Sequence, residues 1–200
     1  MSSDTLIVNP PVQYDLGEAY DAALRPVHIK NVGMPVGVPL DDFWRRVMRC
    51  AGIQDTDYSV ESFVDRVTIR AYFNSHSYCV NPSIGLFGEW LRCFDELAQD
   101  SEFQNSACAD DLHKVFLHQA VLSALTVAML DSDRIRLLPP TYCFPYNLNN
   151  MVPPERRATR LEELVSVVYE ELDLNPDSIE GIEVREPLRT WLSERTRGPS

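Results

Sequence analysis

The sequence predicts an α/β fold in which a mixed sheet is flanked by helices and followed by a helical C-terminal extension. Three observations carry that expectation. Long segments place apolar residues at i, i+3, i+4 and i+7, the signature of a helix with one buried face. Between them lie short apolar or alternating runs that stop at proline or Asn-Pro, which is strand behaviour. Acidic or hydroxyl residues stand immediately before the helical stripes, where caps are needed.

Taken in order, Thr5–Val8 forms a short buried strand that ends at Asn9-Pro10-Pro11. A second strand falls within 20–29, ending at Pro26 or running on to Ile29. Residues 31–39 hold Gly33, Pro35, Gly37 and Pro39 and form a loop. A helix over 41–51 is capped by Asp41 or Asp42, carries Phe43, Trp44, Val47, Met48 and Ala51 on one face, and is closed by Gly52. Val67, Ile69, Ala71 and Phe73 alternate as a strand, and 77–80 continues it or forms the next one up to Asn81-Pro82. Ser83 caps a helix over 84–98 with a stripe of Phe87, Trp90, Leu91, Phe94 and Leu97. Asp110 caps a helix over 111–130 with Leu117, Ala120, Val121, Ala124, Leu125 and Ala128 inward. Ile135–Leu138 is a strand. Thr159 and Glu162 form a capping box for a helix over 160–172, and Pro187 starts a last helix with Leu188, Trp191 and Leu192. Residues 1–157 are expected to make one α/β domain, and 158–200 the helical extension.

Composition narrows the partners. A formal net charge of −12 repels phosphate backbones and anionic headgroups, so neither nucleic acid nor a membrane surface is expected to bind. The longest apolar run, Leu122–Leu130, is too short to span a bilayer. The N-terminal residues have neither the basic nor the long apolar stretch of a signal peptide. The 5 cysteines are widely spaced and include no C-x-x-C pair, as expected of reduced thiols in a cytoplasmic protein. No G-x-S-x-G, Walker A or G-x-G-x-x-G motif occurs.

Residues 139–158 combine Pro139, Pro140, Pro145, Pro153 and Pro154 with Tyr142, Phe144, Tyr146, Asn147, Asn149 and Asn150. Long loops rich in aromatic and amide side chains are often functional. His113 and His118 are five apart, so they fall on different helix faces and do not make a metal pair. Arg156, Arg157 and Arg160 either grip a diphosphate or simply face solvent at a helix start. Tyr142 and Tyr146 either stack on a ligand ring or pin their loop to the core.

Three blocks in this order resemble the type-A-fold nucleotide-sugar glycosyltransferases, chiefly the retaining, glycogenin- and galactosyltransferase-like group: SSDTLIVNPP at 2–11, AYFNSHSYCVNPSIGLFGEWLRCF at 71–94, and LHQAVLSALTVAMLDSDRIRLLPPTYCFPYN at 117–147. The first is similar to the strand bearing the family's D-x-D motif, the second to its N-a-G block, the third to its D-Q block. The resemblance covers roughly residues 2–150 and implies a partial type-A-like fold. It also implies a sugar moved from a nucleotide-sugar donor to an acceptor, with Mn²⁺ or Mg²⁺ bridging the diphosphate. By position it makes Asp4 the metal ligand and makes Asn74, His76, His118, Gln119 and Asn147 the residues that bind substrate, with Tyr142 from the proline-rich loop as a further substrate contact. This chain departs from the pattern at Ser2, which leaves one carboxylate, at Ser75-His76 in place of a small pair, and at His118 in place of an aspartate. The family's β-α-β nucleotide-binding region would lie ahead of residue 1. Two functions therefore stand: sugar transfer, or a non-catalytic relative acting by protein contact, as a homo-oligomer or with a partner chain over an exposed sheet edge.

Overall fold

The structure, a computed structural model, describes residues 4–169 and 181–196. Ser2, and the part of the proposed 160–172 helix beyond residue 169, lie outside those residues. The described chain is a mixed α/β arrangement of small sheets and helices. Its strands are β1 (Thr5–Ile7), β2 (Ala22–Leu24), β3 (Ser59–Glu61), β4 (Thr68–Arg70), β5 (Cys79–Val80), β6 (Ile135–Leu137), β7 (Phe144–Pro145) and β8 (Ser166–Val168). Its helices are α1 (Asp42–Cys50), α2 (Leu86–Gln99), α3 (Ser101–Asn105), α4 (Asp111–Met129) and α5 (Leu188–Thr196).

One sheet has the order β5-β2-β6, with β2 antiparallel to β5 and parallel to β6, pairing Ala22 with Ile135. A second has the order β1-β8-β7, with Thr5 opposite Val168 in an antiparallel pair and β7 parallel to β8. β3 and β4 form a separate hairpin-like pair. The sequence expects a single mixed sheet; the described residues instead build three small ones from strands of two or three residues.

The larger core packs α1, α2 and α4 against the β5-β2-β6 sheet, with Trp44, Met48, Tyr72, Phe73, Leu86 and Leu122 fully enclosed. Local chemistry starts its helices where expected. Asp41 Oδ1 accepts Trp44 N–H at 2.8 Å and Asp110 Oδ1 accepts His113 N–H at 3.0 Å, each capping the first turn of its helix. Gly52 follows α1 with φ 83°, a left-handed value that glycine adopts without strain. α4 is the one described helix long and apolar enough to cross a bilayer. Here it is the central helix, with an unbroken buried run from Gln119 to Thr126.

α2 departs from expectation in two ways. Its lead-in is a 3₁₀ turn at Pro82–Ile84, whose cap is Asn81, accepting Ser83 N–H at 3.1 Å; α2 then starts after Gly85 with no side-chain cap. Its buried face runs through Leu86, Cys93 and Leu97, while Phe87 and Leu91 are 44% and 63% exposed. The stripe is therefore rotated by about one residue.

A second, smaller core gathers Phe63, Phe144, Tyr146, Val152, Leu161, Leu164, Val167, Ile182, Val184 and Leu192. It corrects three expectations. β1 is a half-exposed outer strand, not a buried one, with Ile7 44% exposed. The capping box at Thr159 and Glu162 opens no helix: a 3₁₀ turn at Leu161–Glu163 leads into β8. The reason is the run Ser166-Val167-Val168, whose residues are all buried and which is hydrogen-bonded on both sides by β1 and β7. The segment after 157 is thus not a purely helical extension, since β8 is the middle strand of a sheet shared with residues 5–7. α5 does follow Pro187, with Leu192 buried and Trp191 41% exposed.

Candidate functional site

The two cores meet along a polar seam, and a cavity of about 200 Å³ opens there. Its walls are Val27, His28, Ile29, Asn31, Asn74, His76, Phe116, Gln119, Asn147 and Leu148. Val27 and Phe116 belong to the helical core, and Ile29 and Leu148 pack with the second one.

The backbone explains why these residues converge. β2 ends before Arg25-Pro26, and the chain continues extended between two neighbours. On one side Asn74 N–H donates to Arg25 O at 2.8 Å and Val27 N–H to Tyr72 O at 3.2 Å. On the other side Phe63 N–H donates to Val27 O at 3.0 Å and Val64 N–H to His28 O at 2.7 Å. His28 and Asn74 are thereby set side by side, both nearly sealed from solvent at 7% and 4% exposure. α4 contributes Gln119, whose Oε1 accepts from Ser75 N–H at 3.1 Å and Ser75 Oγ at 3.0 Å. Ser123, one turn on, accepts Phe73 N–H at 2.9 Å and donates to Gln119 O, which fixes α4 against the 73–75 segment. Asn147 and Leu148 arrive on a 3₁₀ turn, Tyr146–Leu148, directly after β7. Asn74 Oδ1 accepts His76 N–H at 2.7 Å, a local turn that brings the His76 ring over His28, with parallel rings 6.3 Å apart. Asp4, just ahead of β1, has its carboxylate 3.7 Å from His76 Nδ1.

Electrostatics set the protonation of the site. Burial first, then the charge of Arg25 and the nearby His76, pulls the His28 pKa down to about 3. His28 is therefore a neutral imidazole. Its Nε2 lies 2.7 Å from Cys143 O, an atom that can only accept, so the proton sits on Nε2 and Nδ1 is left as an acceptor, 3.4 Å from the Asn74 amide nitrogen. Behind His28 lies Arg25, 4% exposed, with Nε donating to Tyr142 O at 3.3 Å and its guanidinium 4.7 Å above the Phe63 ring. Burial, with help from Arg156, lowers the Arg25 pKa to about 10, and its Nη2 has no hydrogen-bond partner among the described residues.

Of the residues expected at a site, Asn74, His76, Gln119 and Asn147 line the cavity, and Asp4 adjoins it through His76. His118 is beside it rather than in its wall: its Nε2 bonds Ser75 Oγ at 2.9 Å, its Nδ1 bonds Val115 O, and burial lowers its pKa. Tyr142 is placed differently from expectation. It is 2% exposed, its ring packs edge-on against Tyr14 and its hydroxyl accepts Gln13 N–H at 2.9 Å, so it pins the loop and offers no face to a ligand. Tyr146 is buried in the second core. The three arginines have partners of their own. Arg156 pairs with Glu61 at 2.7 Å, Arg157 donates to Val152 O and Asn150 O, and Arg160 pairs with Glu163, so they do not gather into a diphosphate clamp.

His28 and Arg25 were missed from sequence. The available signal was a basic residue and a histidine inside the apolar run Ala22–Ile29. Among the described residues no three His, Cys, Asp or Glu side chains gather to hold a metal. A single carboxylate with one imidazole beside it is too small a donor set for Mn²⁺ or Mg²⁺, which favour several oxygen ligands.

A second concavity, about 400 Å³ in volume, lies between β1 and α5, lined by Leu6, Ile7, Val8, Pro187, Leu188 and Trp191 among others. It is apolar, and nothing in the fold shows what covers it.

The chain matches no protein-family model, no curated protein and no solved structure.

Proposed function

We propose that this chain acts on sugars, as a glycosyltransferase-like protein whose seam cavity seats one ring of a nucleotide-sugar donor. The observation that carries this reading is the meeting of Asn74, His76, Gln119 and Asn147, from three separate segments, around one cavity with the Asp4 carboxylate beside it. Amides and imidazoles both donate and accept, which matches hydroxyls that do the same. Val27, Ile29, Phe116 and Leu148 offer apolar contact to the C–H face of a ring. At about 200 Å³ the cavity is smaller than the roughly 300–1,000 Å³ that encloses a drug-sized ligand, so it suits a single monosaccharide group. In this reading Asn74, Gln119 and Asn147 orient the ring, His28 is a neutral wall, and the Asp4 carboxylate stands beside His76 at the edge of the cavity.

The test is a panel of nucleoside-diphosphate sugars and free monosaccharides, with and without Mn²⁺ or Mg²⁺, followed by melting temperature and by ligand-observed NMR. At least one nucleotide sugar should raise the melting temperature. Asn147→Ala should weaken that ligand about tenfold, the loss of roughly one hydrogen bond. Silence from every sugar at millimolar concentration would defeat the proposal. It would leave non-catalytic protein contact, for which the apolar groove beside β1 is the available surface.

A further inference from the structure

Away from the cavity, and independently of its reading, α1 and α2 bring two thiols together. Cys50 ends α1 and Cys93 lies in the middle of α2. Cys93 Sγ donates to Cys50 O at 3.0 Å, and Cys50 Sγ approaches Cys93 O at 3.7 Å. Arg92 fastens the same corner: its Nη2 donates to Cys50 O at 3.2 Å and to Cys93 Sγ at 3.1 Å, while Glu89 and Glu96 hold the guanidinium at 2.8 and 3.0 Å. Each sulfur touches the other residue's carbonyl, so the two side chains lie against each other across the α1–α2 contact. The other cysteines are arranged differently: Cys79 Sγ faces Tyr14 O and Cys143 Sγ faces Ser77 O.

We propose that Cys50 and Cys93 are a disulfide-forming pair, a modification site that ties α1 to α2 when the chain meets a small-molecule disulfide. Exposure sets the order of events. Cys93 is 0% exposed and Cys50 is partly open, so Cys50 reacts first. Its thiolate attacks one sulfur of the small disulfide, giving a mixed disulfide and releasing one thiolate. Cys93 then loses its proton to solvent and attacks the Cys50 sulfur, expelling the second thiolate. Two protein thiols are oxidised and one small disulfide is reduced to two thiols. Burial first, then the hydrogen bond to Cys93, pushes the Cys50 thiol up to about 12. The cross-link therefore forms slowly at neutral pH and faster as pH rises, since only the thiolate attacks.

The experiment treats the reduced chain with oxidised glutathione at pH 9, alkylates the remaining thiols and digests with trypsin. Cleavage after Arg49 and Arg92 yields peptides 50–66 and 93–114. These should appear joined, two hydrogens lighter than their sum. Closing a loop of 43 residues should also raise the melting temperature, by on the order of 10 °C, reversibly with reductant. Cys108 shares the second peptide, so Cys108→Ser must keep the link and Cys50→Ser must lose it. Glutathione remaining on Cys50 with no joined peptide, or a link that runs through Cys108, would overturn the proposal.

Discussion

The two cores are held together by different means. In the larger one, helices of 9, 14 and 19 residues satisfy their own backbone, and side chains are free to pack. In the smaller one, strands of two or three residues and 3₁₀ turns leave backbone groups that other side chains must satisfy. Asn9 does so twice, its amide donating to Glu162 O at 2.8 Å and Leu164 O at 2.7 Å across more than 150 residues of chain. Ser166 does so once, accepting Cys143 N–H at 2.9 Å. The larger core takes polar pins of this kind where α4 meets the 73–75 segment, at Gln119 and Ser123, and the smaller one takes them at the ends of its strands and turns. The cavity lies where the two kinds of construction meet, and its polar side chains continue that pinning layer.

The sharpest way to break this comparison is to remove an anchor from the helical core. Trp44 is 2% exposed, donates its indole N–H to Val32 O at 2.5 Å, and packs edge-on against Phe43 and Tyr72. Trp44→Ala should cost about 3–5 kcal/mol in urea unfolding followed by circular dichroism, from the cavity and the orphaned carbonyl together. A loss under about 1 kcal/mol would show that this half does not dominate the stability of the chain.

Next in size is the pH response of the seam. His28 has a folded pKa of about 3, well below the ordinary 6.5. The unfolded chain therefore binds a proton that the folded chain refuses between those values. Stability rises with pH across that window and is lost as pH falls from about 6.5 toward 3, with a slope of up to about 1.4 kcal/mol per pH unit. Urea midpoints from pH 4 to 7 should show this slope, and His28→Gln should flatten it. A variant that keeps the full slope would mean that His28 is not buried as a neutral ring.

Caps made the helical half legible. Asp41 and Asp110 bond N–H groups three residues on, so the signal and the structure it makes are both local. The 160–168 segment misled for the same reason. Leu161, Leu164, Val165 and Val168 satisfy a helical spacing, yet short apolar runs fit a two-sided buried strand equally well, and the deciding partners, β1 and β7, are remote in sequence. Asn74, His76, Gln119 and Asn147, whose positions a family resemblance supplies, line one cavity. His28 and Arg25 are not legible in the sequence, since what marks them is burial among residues 63–74 and 142–143, which no local pattern encodes. Tyr142 was misplaced because an aromatic in a proline-rich loop has the same sequence whether it faces a ligand or the core.

The smallest effect expected separates two descriptions of α2. The apolar spacing puts Leu91 on the buried stripe with Trp90 and Phe94, and a charge there would then cost several kcal/mol. The structure leaves Leu91 63% exposed and turns Leu86, Cys93 and Leu97 inward. Leu91→Glu should therefore change stability by no more than about 0.5 kcal/mol. Its carboxylate would stand four residues before Asp95, so a slight loss that shrinks with added salt is the expected sign. A loss of several kcal/mol in the urea midpoint, insensitive to salt, would mean that the helix presents Leu91 to the core and that the sequence stripe was the better guide.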